Sequence, residues 1–430
     1  MEVLVIGGGP AGATAARALA MAGVTVRLLD RSKFPRNKPC GGGISLRVLP
    51  RFPYLEQALT RIATHRVSRL YLEGPDGDSA VVHSRVPAAL MVRRVEFDEL
   101  LVSLACEAGA ELVEGVDIVA AYQDQHGVSL MARDGRRFTA PVVIAADGVH
   151  SIVARRLGIN RGWPDTSIAL DMMEESPRQT LRDVDPSTMW VAYGVSGGPG
   201  YGYVFPKRDH VNVGIGYLLN HYRRAVDEHP YEVQRTFVDE LRRRGVVEGA
   251  STRANFTPFL IPVGGPLRRP GRGRVILAGD AGGFVNGFTA EGIYYAMVTG
   301  ELAARSVVES ARGAVASLVR RYRRAVDYEI GAELRDSVLI QRYLFADRRR
   351  IARVVAGARR APEITRLILD FAVGGLSYRM LRRRVFSEAP LLGGRLLWER
   401  LRTLMRPCPP KLVTKSASEG GASAEAAGTA

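Results

Sequence analysis

Cysteine is scarce in this 430-residue chain: there are three, Cys40, Cys106 and Cys408, widely spaced. No CxxC pair and no Cys/His cluster occurs, which argues against an iron–sulfur centre or a structural zinc, and no metal site is expected. Nothing resembles a disulfide framework, which fits a reducing compartment. No uninterrupted apolar run is long enough to span a bilayer. The first apolar run begins almost at Met1, which leaves no room for a signal peptide. The expectation is a cytoplasmic protein, able to lie peripherally on the inner face of the membrane. Acidic residues are outnumbered, 44 against 60 Lys and Arg, for a net charge of +16 supplied mostly by arginine. That balance suits anionic partners, or reflects an arginine-rich composition alone. No recognisable nucleic-acid module is present, so nucleic acid is not an expected partner. A hydrophobic content of 46% is ordinary for a soluble protein, and the length allows two or three domains.

What is present is concentrated at the start. Val3-Leu-Val-Ile6 reads as a buried parallel strand, followed at once by Gly7-Gly-Gly-Pro-Ala-Gly12. Ala13 to Ala22 reads as a helix of small residues, and Val24 to Leu29 as a second strand ending in Asp30. Strand, glycine turn, helix, strand and acid together make a dinucleotide-binding pattern. Gly7 allows the tight turn, Gly9 lets backbone approach a pyrophosphate, and Gly12 lets helix and sheet pack closely. The helix N-terminus offers N–H groups to phosphate. Asp30 is placed to accept hydrogen bonds from a ribose, which favours FAD or NAD over NADP without separating the first two.

The segment Arg31 to Ser45, with two prolines, a basic cluster and the glycines around Cys40, reads as a loop able to approach a flat ligand. Cys40 is either a thiol beside the cofactor or merely a small turn residue. Arg94, near the start of a helix running through Ala108, can reach a phosphate or flavin edge, or pair with Asp98 four residues on. Glu111 to Tyr122 and Val128 to Ala132 alternate like strands of a small sheet, with a hairpin signal at Asp134-Gly135. Val142 to Ala146 is a further buried strand closing on Asp147-Gly148, and Ser151 can cap the next helix. Residues 165 to 218 alternate like a largely antiparallel sheet. Trp190, Tyr201, Tyr203 and Phe205 would give that sheet an aromatic surface, or pack as ordinary core. Val275 to Ala278 is one more buried strand, followed by Gly279-Asp280, a carboxylate placed to hold a polyol near a second helix start.

Gly7-x-Gly9-x-x-Gly12, Asp147-Gly148 and Gly279-Asp280, in this order, resemble the three FAD fingerprints of flavoproteins similar to p-hydroxybenzoate hydroxylase. The resemblance covers roughly residues 1 to 305. Within that class, Lys38-Pro-Cys-Gly-Gly-Gly-Ile44 resembles the hallmark of the geranylgeranyl reductase family. Tyr201-x-Tyr203-x-Phe205-Pro206-Lys207 is similar to that family's substrate-side motif, with Tyr203 where tryptophan is common. Arg94-x-x-Phe97-Asp98 also matches the class pattern. The implied fold is α/β: a Rossmann-type FAD-binding domain interleaved with a mainly antiparallel-sheet substrate domain, plus a helical C-terminal region. The expected segments are 1–160 with 270–305 for FAD, 161–269 for substrate, 306–406 helical and basic, and 407–430 a disordered tail.

The implied activity is reduction of isolated C=C bonds in a polyprenyl chain, carried on a diphosphate, a lipid or an isoprenoid quinone. Hydride would come from N5 of reduced flavin, with a proton added to the other alkene carbon. By position, Gly7, Gly9, Ala11, Gly12, Asp30, Cys40, Gly41, Gly43, Arg94, Asp147, Gly279, Asp280, Gly292 and Ile293 are expected at the cofactor. Tyr201, Tyr203, Phe205 and Pro206 are expected at the substrate, and Cys40 and Tyr203 are the candidate catalytic residues, Cys40 as the proton source or to position the alkene. No second dinucleotide fingerprint is visible, so the electron donor is NAD(P)H bound transiently or a reduced small redox protein. Two alternatives share the fold: an aromatic or quinone monooxygenase, and a membrane-surface electron relay to quinone. The arginine-rich segments after residue 305 suit an acidic lipid surface, a diphosphate clamp or a solvated helical cover.

Overall fold

The computed structural model describes residues 2–360 apart from 85–86, 196–197 and 312–316, and beyond these residues 367, 371, 376–384 and 387. Residues Met1–Leu381 form one compact unit. The expected tail, 407–430, and the apolar and basic stretch Leu391 to Leu404 lie outside the described residues.

The opening strand Glu2–Ile6 is buried on both faces, as its run of Val, Leu and Ile requires. It sits inside a six-stranded sheet, between Val142–Ala145 on one side and Thr25–Leu29 on the other, both parallel. Val275–Leu277 extends the sheet beyond Val142–Ala145, again parallel, and the short Gly271–Arg272 closes that edge antiparallel. The carboxyl ends of the central strands carry Gly7, Asp30, Asp147 and Gly279, so all the expected fingerprint segments meet at one edge of the sheet. Two helices of small residues, Pro10–Met21 and Ile293–Ala311, cover one face. The other face is covered by the antiparallel strands Ile118–Gln123, Val128–Ala132 and Arg137–Ala140. Glu111–Val113 does not join that small sheet, as its alternation suggested; it pairs with Thr25–Leu29 at the parallel edge.

The second sheet has seven strands in the order Phe256–Ile261, Ala169–Pro177, His210–Leu218, Gly200–Pro206, Thr188–Val195, Arg69–Glu73, Ser79–His83. Every pairing is antiparallel except Thr188–Val195 with Arg69–Glu73. Two of its strands therefore come from before residue 160, ahead of the segment expected for the substrate. One face packs on the amphipathic helix Pro230–Arg243, where Phe237, Val238 and Leu241 are buried. The other carries Tyr193, Tyr201, Tyr203 and Phe205. Side chains alternate between faces along a strand, so Trp190 is on the opposite face from Tyr193. There it stacks with Tyr71 at 6.3 Å and meets Phe237 at 6.2 Å. Of its two expected places, aromatic surface or ordinary core, Trp190 takes the second: it belongs to the core behind the sheet.

The glycine segment around Cys40 is not wholly a loop. Gly43–Ser45 forms a strand against Ala89–Val92, because Ile44 is a core residue that needs a fixed register. After Ile293–Ala311 the chain continues in the helices Leu318–Val326, Ala332–Leu344 and Arg348–Arg360, with one wide turn at Asp327–Gly331.

Candidate functional site

A single cavity of about 990 Å³ runs from the glycine turn at the parallel sheet to the aromatic face of the seven-stranded sheet. At its first end, the helix Pro10–Met21 begins with Pro10 and has Gly9 at its cap position with no side-chain cap. The first N–H groups of such a helix lack intrahelical partners, and Gly9 and Ala11 line the cavity there. Gly7 has a φ of +97°, a conformation that disfavours a side chain. A Cβ on Gly12 would collide with the carbonyl of Gly7. Gly12 itself does not line the cavity; it permits the close helix-to-turn contact. Asp30 is buried, with Oδ2 accepting the Gly8 N–H at 2.6 Å and Oδ1 accepting the Ser32 N–H at 2.7 Å. The carboxylate is thus held facing the cavity at the end of the second strand.

The middle of the cavity is lined by Cys40, Gly41, Gly43, Arg94, Asp147, Gly279, Asp280, Gly292 and Ile293. Of the two roles open to Arg94 from its spacing, the pairing with Asp98 is formed. Arg94 donates two hydrogen bonds to Asp98, at 2.6 and 2.7 Å, and also lines the cavity beside Cys40. Arg36, unremarked within the basic loop, reaches the same carboxylate at 3.1 Å and approaches Asp30 at 3.8 Å. Cys40 Sγ accepts the Gly42 N–H at 3.4 Å. Asp147 accepts the Val153 N–H at 3.2 Å through Oδ2, while Oδ1 is buried without a partner among the described residues. Burial pushes this carboxyl above the usual range.

The far end is aromatic. Tyr201, Tyr203 and Phe205 share one face of their strand, with ring centroids 5.7 and 4.5 Å apart. Tyr193 stacks on Phe288 at 5.0 Å, and Phe345 completes the wall. Pro206, expected at the substrate, ends the same strand but does not line the cavity, because the alternation carries it to the other face. Gly41 packs so closely under this wall that a Cβ there would lie 2.8 Å from the Phe205 ring. The cysteine loop and the aromatic strand, over 150 residues apart in the chain, therefore meet at the waist of the cavity.

Three groups escape sequence reasoning. Asp171 is a buried carboxylate that accepts the Tyr203 hydroxyl at 3.0 Å. Lys38 is half-buried with its amino group 4.1 Å from the Phe259 ring centroid, and desolvation pulls its pKa down, helped by Arg94. Arg47 is bound by Glu333 at 2.8 Å, Tyr295 at 2.7 Å and Glu291 at 3.4 Å. Glu291 also accepts the Ser45 N–H at 3.1 Å, tying the Cys40 segment to the Gly279–Ile293 loop. None of these follows from local pattern, since each depends on strands or helices far away in sequence.

An uncapped helix start, a glycine turn that tolerates no side chain and a fixed acid beside it fit a dinucleotide with its pyrophosphate at the helix and its ribose at Asp30. The comparisons agree: the family described as "FAD binding domain" matches residues 1–326. The fold and site thus define an FAD-dependent oxidoreductase. A menaquinone reductase from Mycobacterium tuberculosis is 32% identical over 320 residues, covering 70% of this chain and 75% of that protein. Digeranylgeranylglycerophospholipid reductase 2 from Methanothermobacter thermautotrophicus is 31% identical over 363 residues, covering 80% and 87%. The crystal structure of a geranylgeranyl bacteriochlorophyll reductase-like protein from Thermoplasma acidophilum has the same fold, with a TM-score of 0.74 at 21% identity over 90% of this chain and 98% of that one. The chain belongs to the geranylgeranyl reductase family of FAD-binding proteins. No described helix is long and apolar enough to cross a membrane.

Proposed function

We propose that this protein saturates isolated C=C bonds of a polyprenyl chain carried on a diphosphate, a lipid or an isoprenoid quinone. The observation that carries the reading is the continuity of the cavity: an FAD cradle at one end opens past Cys40 and Gly41 into an aromatic chamber at the other. Gly7, Gly9, Ala11, Asp30 and Asp147 hold the adenosine and pyrophosphate part of the cofactor, with Gly12 serving indirectly by letting the helix close on the turn. Arg94, Cys40, Gly41, Gly43, Gly279, Asp280, Gly292 and Ile293 surround the ribityl and ring. When bound in its reduced form, FAD supplies hydride to the alkene.

The protein's own part is to hold the alkene, keep it dry and provide a proton. Tyr201, Tyr203 and Phe205 form a wall that excludes water and restricts the chain to a few orientations. Their faces also favour the positive charge that develops as an alkene carbon is protonated. Gly41 lets the cysteine loop close directly on Phe205, and Cys40 positions the double bond at the waist. Electrons arrive from NAD(P)H or a reduced small redox protein. Substrate enters from an acidic lipid surface, a reading that the exposed arginines of Leu318–Val326 support by their charge.

The test is mass spectrometry of FAD-loaded, dithionite-reduced protein incubated with geranylgeranyl diphosphate, a geranylgeranylated ether lipid and a menaquinone. Products heavier by pairs of hydrogens support the reading and name the carrier. A hydroxylated product with NAD(P)H and oxygen would mark a monooxygenase instead. Fast quinone reduction with an unchanged side chain would mark an electron relay.

A further inference from the structure

The aromatic chamber contains one carboxyl group that binding of a hydrocarbon does not explain. Asp171 lies on Ala169–Pro177, second from one edge of the seven-stranded sheet, 5% exposed, and lines the cavity. Its Oδ2 accepts the Tyr203 hydroxyl at 3.0 Å, while Oδ1 has no partner among the described residues. Its cross-strand neighbours are Gly216 and Phe259, which bring no charge. The titratable groups that face it are Tyr203 and Tyr201 from the strand Gly200–Pro206, and Lys38 from the cysteine loop. Tyr203 in turn packs on Phe205, under which Gly41 lies. The Tyr203 side chain therefore spans the chamber wall, with its ring edge at the waist by Gly41 and its hydroxyl on the buried carboxyl.

We propose that Tyr203 is the catalytic proton donor to the alkene and that Asp171 is the positioning residue that recharges it. The assignment rests on the polyprenyl reductase reading above and adds the identity of the acid. A buried phenol alone is a poor acid, and Tyr203 is held well above its ordinary value by burial, with Asp171 adding to the shift. A neighbouring carboxyl removes that obstacle. Burial raises Asp171 to about 7, although the Tyr203 hydrogen bond and Lys38 oppose the shift. When Asp171 is protonated it donates to the phenolic oxygen, which frees the Tyr203 O–H for the cavity. In the step, the Tyr203 O–H bond breaks as a C–H bond forms at one alkene carbon. The Asp171 carboxyl O–H breaks as the phenol is re-formed, and a carboxylate is left. The electron pair for the second C–H bond comes from the reduced flavin, and solvent returns the proton to Asp171 between turnovers. The pair must be protonated to act, so turnover is high below about pH 7 and falls above it.

The experiment uses FAD-loaded, dithionite-reduced enzyme and the three polyprenyl probes named above, across pH 5 to 9. Wild type is expected to show an alkaline limb in kcat near pH 7 with the substrate it reduces. Asp171→Asn and Tyr203→Phe are each expected to lower kcat by about 10² or more, the usual worth of a positioned acid. KM and FAD absorbance should stay close to wild type, and the limb should vanish in Asp171→Asn. Cys40→Ala should keep the limb. A second readout needs no turnover: the carboxylic C=O infrared band of Asp171 should fade through about pH 7 in wild type, be absent in Asp171→Asn and shift in Tyr203→Phe. Wild-type product with undiminished kcat in both variants, a limb lost in Cys40→Ala instead, or a carboxyl already ionised at pH 5 would overturn the assignment alone. No hydrogenated product from wild type at any pH would remove the reductase reading and this role together.

Discussion

Arg47→Met tests how the cofactor end and the helical C-terminal region are held together. Arg47 lies between Gly43–Ser45 and the short helix Val48–Arg51, 7% exposed. Its guanidinium binds Glu333, Glu291 and the Tyr295 hydroxyl, and lies over the Tyr294 ring at 3.9 Å and the Phe371 ring at 4.5 Å. Tyr295 also donates to Glu333. Methionine fills much of the space but leaves two carboxylates with no cation. Breaking a buried pair from one side costs about 3–5 kcal/mol. The cost depends on pH, with a definite sign. Burial already raises Glu333 above the usual carboxylate range, although Arg47 opposes it. Without Arg47 the folded value rises further. A carboxyl raised in the folded state has its full stability below its unfolded value and loses it as pH rises through the folded value. The deficit of Arg47→Met should therefore be small near pH 4 and grow towards pH 8. Denaturant unfolding at fixed FAD concentration, followed by tryptophan fluorescence at pH 5 and 8, measures it. Adding Glu333→Gln should recover part of the loss at pH 8. A variant within about 1 kcal/mol of wild type at pH 8, or a deficit equal at both pH values, would refute the argument.

Other consequences are equally direct. Asp30→Asn replaces a charged acceptor of two backbone N–H bonds and should weaken FAD binding about tenfold or more, measured by titrating apoprotein with FAD; unchanged affinity would count against Asp30 as the ribose anchor. Gly41→Ala puts a Cβ 2.8 Å from the Phe205 ring and should lower turnover about tenfold while FAD stays bound, so wild-type turnover would contradict the tight waist. Glu175→Gln strands Lys207, which is 1% exposed, and should lower stability by about 3 kcal/mol near pH 7. Lys207 and Arg93 hold Glu175 below its usual range despite burial. Its stabilising contribution is therefore present above the usual carboxylate value and lost as pH falls, and the gap between variant and wild type should narrow towards pH 3. A constant gap across that range would argue against the ion pair as its source.

Local pattern made the parallel half of the fold legible. Val3 to Ile6, Val142 to Ala146 and Val275 to Ala278 are apolar runs, the first followed by glycines and the other two by glycine and an acid, which is enough to mark strands that end at a ligand edge. Pattern was weaker where pairing is long-range. Gly43–Ser45 looked like loop because glycine and cysteine carry no strand signal, yet it is held in register by Ala89–Val92. Glu111–Val113 alternates like a neighbour of Ile118–Gln123, yet hydrogen bonds from Thr25–Leu29 claim it. Trp190 shows the sharpest limit. Composition marks it as an aromatic, but one step of register decides which side of a sheet it faces.

The sequence by itself determined the FAD cradle, because each of its parts is a short-range requirement on the backbone: a turn that only glycine makes easily, a helix start without a cap, and an acid one strand later. It also determined the family, through the combination of three such fragments with the cysteine–glycine loop. Only the tertiary structure decided what the cradle opens onto. Tyr193, Tyr201, Tyr203, Phe288 and Phe345 come from three separate parts of the chain, and Asp171 reaches Tyr203 across a sheet whose order no local signal encodes. The chemistry of the chamber is thus a property of strand order and register. Those are fixed by burial and backbone hydrogen bonding over the whole unit rather than by any stretch of sequence.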